Sequence, residues 1–170
     1  MKARSIKFLV REAEEFLSIA LAEKHTPLLR EMHLKATIAF AWFGLEGFVN
    51  LASSDFLSLK SLEKHERAFL EEKAVEFEHG NFLIRGSRKY PTRDKIVFLL
   101  ARFGNYDLKT ADPLWTKLRN LQGWRDSLVH PKENRSISTF STKHASDAID
   151  ITKSIIRLVY KKVYRKTARL

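Results

Sequence analysis

The chain has 170 residues, of which 44% are hydrophobic and 30% charged, with 6 glycines, 4 prolines and no cysteine. That length suits one domain with a core of its own, and the lack of cysteine excludes disulfide scaffolds, thiol catalysis and cysteine-ligated zinc. The net charge of +11 is lopsided: residues 1–85 hold twelve basic against thirteen acidic side chains, residues 86–170 nineteen against seven.

Met1-Lys2-Ala3-Arg4-Ser5 starts basic, but Lys7, Arg11, Glu12, Glu14 and Glu15 soon interrupt the apolar residues, which is no secretory signal. Together with the absence of cysteine this points to a cytoplasmic protein. A first amphipathic helix is predicted over Ser5 to Lys24, with Phe8, Glu12, Phe16, Ile19 and Ala20 on one face. Thr26-Pro27 then supplies an N-cap and a first-turn proline, so a second helix should run to about Ala52. Between Ala36 and Val49 it is apolar nearly all round, as a helix covered on several sides would be. Glu46 and Asn50 interrupt it, and Ala36 to Ala52 falls short of the roughly 20 apolar residues of a membrane span. No membrane association through a span is expected.

Ser61 to Glu78 reads as a third, highly charged helix with Leu62, Phe69, Leu70 and Phe77 inward, followed by an irregular loop through Pro91. Thr92 caps a short fourth helix that Gly104-Asn105 stops near Phe103. Asp112-Pro113 repeats the cap-then-proline signal and opens a fifth helix ending at His130-Pro131. After a polar segment, a last helix spans about Lys143 to Arg165, with Ala145, Ala148, Ile149, Ile155, Ile156 and Val159 inward. The fold class is therefore all-α: a compact bundle of about five to six helices forming a single domain over residues 1–170.

The basic second half favours polyanions through counterion release, nucleic acid before anionic lipid. From Lys153 onward the last helix carries Arg157, Lys161, Lys162 and Arg165 with no acidic residue, and these four are the candidate nucleic-acid contacts. His25, His33, His65, His79 and His144 lack paired zinc-ligand spacing, so no metal and no cofactor is expected. Ser127 near Asp126 and His130 lacks the strand-to-helix elbow of a serine hydrolase. Trp115 and Trp124 read as packing residues.

Arg125 and His130 close the fifth helix. Arginine offers a permanently charged planar fork for phosphate oxygens, and histidine exchanges a proton near neutral pH. Five residues apart on an ideal helix means a rotation of about 140°, so the two do not share a face. Arg119, Gly123, Asp126 and His130 instead form one polar stripe within about 40°, whereas Arg125 is rooted among Leu114, Leu118, Leu121, Leu128 and Val129. Either Arg125 is a brace paired with Glu46 and His130 an exposed helix end, or the helix bends before Pro131, or a second chain completes a pocket.

Arg125, the polar Asp126 and then His130 resemble the signature of HEPN domains, an arginine and a histidine separated by four to six residues. Leu45-Glu46-Gly47-Phe48-Val49-Asn50 is similar to that family's hydrophobic early helix. Asparagine is frequent after the family arginine, and this chain has Asp126 there. The resemblance implies a helical bundle pairing about a twofold axis and, in many members, metal-independent RNA cleavage, with RNA as partner. His130 would be general acid or base, Arg125 would stabilise the phosphate, and Asp126, Glu46, Asn50 and Arg119 would support them. The resemblance also implies a toxin or defence role, with a cognate antitoxin or nucleotidyltransferase-like partner, or else a catalytically silent binding module.

Overall fold

The structure, a computed structural model, describes residues 2–22, 26–130 and 140–167. It is a helical bundle, as the periodicity predicts, with one small hairpin that the periodicity does not. The central element is α2 (Pro27–Phe56), which starts where local chemistry says it should. Thr26 is extended and its Oγ1 accepts the Leu29 N–H at 3.3 Å, while Pro27, which has no N–H to satisfy, takes the first turn.

Four helices pack against α2. Antiparallel to it runs α1 (Lys2–Leu21), with Phe16 stacked on His33 and touching Phe40. Gly44 permits this approach, since a Cβ there would sit 3.1 Å from Val10 Cγ2. Parallel to α2 runs α7 (Thr142–Lys162): the buried Thr152 hydroxyl donates to the Ala41 carbonyl at 3.1 Å, and farther along Phe48 stacks on Tyr160. The C-terminal half of α2 receives α4 (Thr92–Gly104), where the Phe56 and Phe103 rings stack with centroids 4.1 Å apart. The one-turn α5 (Leu108–Ala111) leads into α6 (Leu114–Val129), which lies against α2 and antiparallel to α7, with Trp124 meeting His144. The fully buried core draws Ile38, Leu45 and Val49 from α2, Leu99 and Leu100 from α4, Leu118 and Leu121 from α6, and Ile155 and Ile156 from α7.

At 30 residues α2 exceeds the apolar run read from the sequence, and by length and composition it reaches what a membrane span needs. Yet 56% of its most apolar window lies inside the fold, packed on α1, α4, α6 and α7. Its near-uniform hydrophobicity is that of a core helix with several neighbours.

Two expectations are corrected. The third helix ends early: α3 is Lys64–Leu70 only, after which Glu72 turns left-handed (φ 57°) and β1 (Lys73–Glu78) pairs antiparallel with β2 (Asn81–Ser87). His79 and Gly80, both at positive φ, form the two-residue turn that suits strand twist. Phe77, expected inward, is 66% exposed on the hairpin. On α1, Phe8 and Ile19 face outward while Val10, Ala13 and Ala20 are buried, because small side chains let that face come closest to α2. The last helix behaves as its periodicity predicts, with all six expected inward residues buried.

Candidate functional site

α6 is fixed at its start by Asp112, whose Oδ1 accepts the Leu114 N–H at 2.8 Å while its Oδ2 accepts the Tyr106 hydroxyl at 2.9 Å. That hydrogen bond, with burial, raises the Tyr106 pKa above its ordinary value. Leu118 and Leu121 then carry the helix along the core. Arg125 continues the same stripe one turn later, where the core gives way to solvent, so its stem packs while its guanidinium reaches the surface.

The Arg125 side chain is 28% exposed, and its Nη1 donates to Asp126 Oδ1 at 3.2 Å. Its Nε is buried with no hydrogen-bond partner among the described residues. The helix ends one turn on. His130 leaves helical geometry at φ −126°, ψ 67°, while its N–H still donates to the Asp126 carbonyl at 2.9 Å. That ψ lies outside the α region, which a following proline disfavours. His130 is solvent-exposed. Asp126 serves both ends of the motif, through its carboxylate for Arg125 and its carbonyl for the His130 backbone. Arg119, two turns earlier on the polar stripe, is exposed.

Glu46 and Asn50 are not brought to this motif. Trp124, beside Arg125, packs on His144 at one end of α7, whereas Phe48, between Glu46 and Asn50, packs on Tyr160. Sixteen residues of α7 separate those contacts, about 24 Å at ~1.5 Å per residue. Asn50 Oδ1 instead accepts from the buried Lys95 Nζ at 3.1 Å, and Lys95 also donates to Glu72 Oε1 at 2.7 Å. The brace between Arg125 and Glu46 is thus absent, and so is the orienting role of Asn50.

The expected basic tract is also remote. Arg157, Lys161 and Arg165 are exposed, and Lys162 is half-buried with its ammonium 4.5 Å from the centre of the Tyr106 ring. Arg157 to Lys162 lie thirteen to eighteen residues past His144, about 20–27 Å along the helix. Among the described residues, no three His, Asp or Glu side chains gather as a metal-binding group.

Sequence reasoning missed a groove between α6 and α7 beside the motif. Leu114, Lys117, Asn120 and Trp124 line one wall, and Asp147, Asp150, Ile151 and Ser154 the other, around about 210 Å³. Each set repeats at three- and four-residue spacing, a signal legible only once the two helices are known to face each other. Trp124, read as packing, is half-buried in this wall and meets the His144 ring edge-on, centroids 5.1 Å apart. His144, read as a solvated helix residue, closes a capping box: its Nδ1 accepts the Ser141 N–H at 3.1 Å while Ser141 Oγ accepts the His144 N–H.

No family model, no curated protein and no solved structure matches this chain.

Proposed function

We propose that the protein is a HEPN-like, metal-independent endoribonuclease that acts on RNA as a twofold dimer in a toxin or defence setting. One observation carries the reading. Arg125, with its Nη1 anchored by Asp126 and its side chain partly exposed, stands five residues before an exposed His130 that has left helical geometry. In transesterification the imidazole takes the ribose 2′-hydroxyl proton, the 2′-oxygen attacks phosphorus, the P–O5′ bond breaks and the departing oxygen gains a proton. The guanidinium balances the charge that builds on the phosphate oxygens. A second copy supplies the second imidazole that such acid–base chemistry uses. The half-exposed Val129, next to His130, offers apolar surface for that copy.

RNA cleavage should persist in EDTA, leave a 2′,3′-cyclic phosphate and spare DNA, which lacks the nucleophile. His130→Ala should lower cleavage by about 10²–10⁴-fold with helical circular dichroism intact. Metal-dependent cutting, or full activity in that variant, would sink the reading.

A second reading has its own support in the distance between the basic tract and the motif: a catalytically silent HEPN-like module that holds nucleic acid by Arg157, Lys161, Lys162 and Arg165. It requires salt-sensitive RNA binding with no cleavage under any condition. A cognate antitoxin or nucleotidyltransferase-like protein belongs with either reading as a partner.

A further inference from the structure

The groove between α6 and α7 has an unusual composition for a chain of net charge +11. Its polar walls hold two carboxylates, Asp147 and Asp150, against one ammonium, Lys117, with Asn120 and Ser154 between them and the Trp124 indole at one end. Among the described residues none of these three charged groups forms an ion pair. Such a site repels a phosphate, and Lys117 repels an organic cation. At about 210 Å³, below the usual size of a pocket for a drug-sized molecule, it suits one planar ring rather than a larger ligand.

Among nucleobases, these donors and acceptors fit guanine best. Its N1–H and N2 amino group are adjacent donors for one carboxylate, its O6 accepts from a lysine, and its face stacks on an aromatic ring. Adenine and cytosine each offer one amino donor beside an acceptor that a carboxylate opposes. Uracil flanks its only N–H with two carbonyls. The indole is held for such stacking by the His144 ring, which Phe140 contacts in turn. Asp147 lies one turn beyond His144 on the facing helix, so it is the carboxylate nearest the Trp124 end.

We propose that this groove is a guanine pocket, with Asp147 reading the Watson–Crick edge, Lys117 the O6 and Trp124 the ring face. The proposal rests on the nuclease reading: Trp124 precedes His130 by six residues, about 9 Å of helix rise, so a base in the groove would belong to a nucleotide near, and not at, the proposed scissile phosphate.

The experiment titrates guanosine, adenosine, cytidine and uridine, all free of phosphate, by calorimetry, and maps cut positions on a mixed-sequence RNA. Guanosine should bind at least tenfold tighter than the others, and cuts should cluster beside guanosines. The near-isosteric Asp147→Asn should lose about tenfold in guanosine affinity and spread the cuts, and Trp124→Phe should weaken all four nucleosides. Equal binding of the four, or unchanged guanosine affinity in Asp147→Asn, overturns the pocket, as does spermidine binding in place of nucleosides. Guanosine binding without RNA cleavage supports the pocket and removes the nuclease. Cleavage with neither guanosine binding nor base preference removes the pocket and leaves the nuclease.

Discussion

Arg125 and Asp126 are neighbours in sequence whose side chains meet at 3.2 Å on the last turns of α6. With side-chain exposures of 28% and 48% the pair is well solvated, so its worth to stability is small. Its consequence is directional, since it fixes one arm of the guanidinium. Arg125→Lys keeps the charge but loses the fork, and should lower RNA cleavage by about 10²-fold or more while shifting the urea midpoint by less than ~1 kcal/mol of stability. Single-turnover cleavage and urea melts measure both, and a large stability loss with unchanged cleavage would make Arg125 a brace.

Asn50→Ala separates the motif from the cluster at the far end of α2. The substitution removes an acceptor of Lys95, which is 4% exposed, and should cost about 1–3 kcal/mol of unfolding free energy. Cleavage measured below the melting temperature should stay within about twofold of wild type, because Asn50 is on the order of 20 Å from Arg125. A tenfold loss of cleavage in a folded variant would return Asn50 to the site.

His144 is placed to test the start of α7. His144→Ala breaks the capping box with Ser141 and should cost about 0.5–2 kcal/mol, whereas His144→Gln, which can accept the same backbone N–H, should recover most of it. Thermal melts of the two variants decide this. Equal losses would show that the ring's contact with Trp124, rather than the cap, is what matters.

Tyr164 governs the alkaline limit of stability. Burial first, and then the hydrogen bond to Asp55 Oδ2 at 2.9 Å, push its pKa well above the ordinary tyrosine value. A pKa raised on folding favours the protonated form, so this contribution is complete below the unfolded value near ~10 and is lost as pH rises beyond it. Tyr164→Phe should cost about 0.5–1.5 kcal/mol near neutrality and flatten the fall in stability between pH 10 and 11. Urea midpoints across that range provide the check, and an unchanged alkaline slope would assign it to other groups.

The basic end of α7 has a signature in salt. Replacing Arg157 and Lys161 together by glutamine should reduce the slope of log binding constant against log salt by about two, if each meets one phosphate. Cleavage at saturating RNA should be little changed, given the distance from His130. Filter binding at several salt concentrations measures the slope.

Much of the helical frame was written locally. Thr26-Pro27, Asp112-Pro113 and Asn105 sit at helix boundaries because caps and left-handed stops act within a turn of chain. The inward face of α7 was equally legible, since its apolar residues recur on one stripe with charges on the other. The hairpin was missed because charged residues in Lys73 to Glu78 fit an exposed helix as readily as an exposed strand, and only the His79-Gly80 turn between alternating runs tells them apart. On α1 the bulky Phe8 and Ile19 drew the face away from Val10 and Ala13, because sequence hydrophobicity ranks size while close helix packing selects small side chains.

By itself the sequence determined most of the helices, the charge asymmetry and the presence of Arg125, Asp126 and His130 at a helix end that precedes a proline. Tertiary structure alone decided which residues share a neighbourhood: it sent Asn50 to Lys95, set the basic tract at the other end of α7, and faced Trp124 with Asp147 across a groove. Caps and periodicity are settled by neighbours a few residues away, whereas those relations depend on the direction and register of helices that meet only when the core is buried.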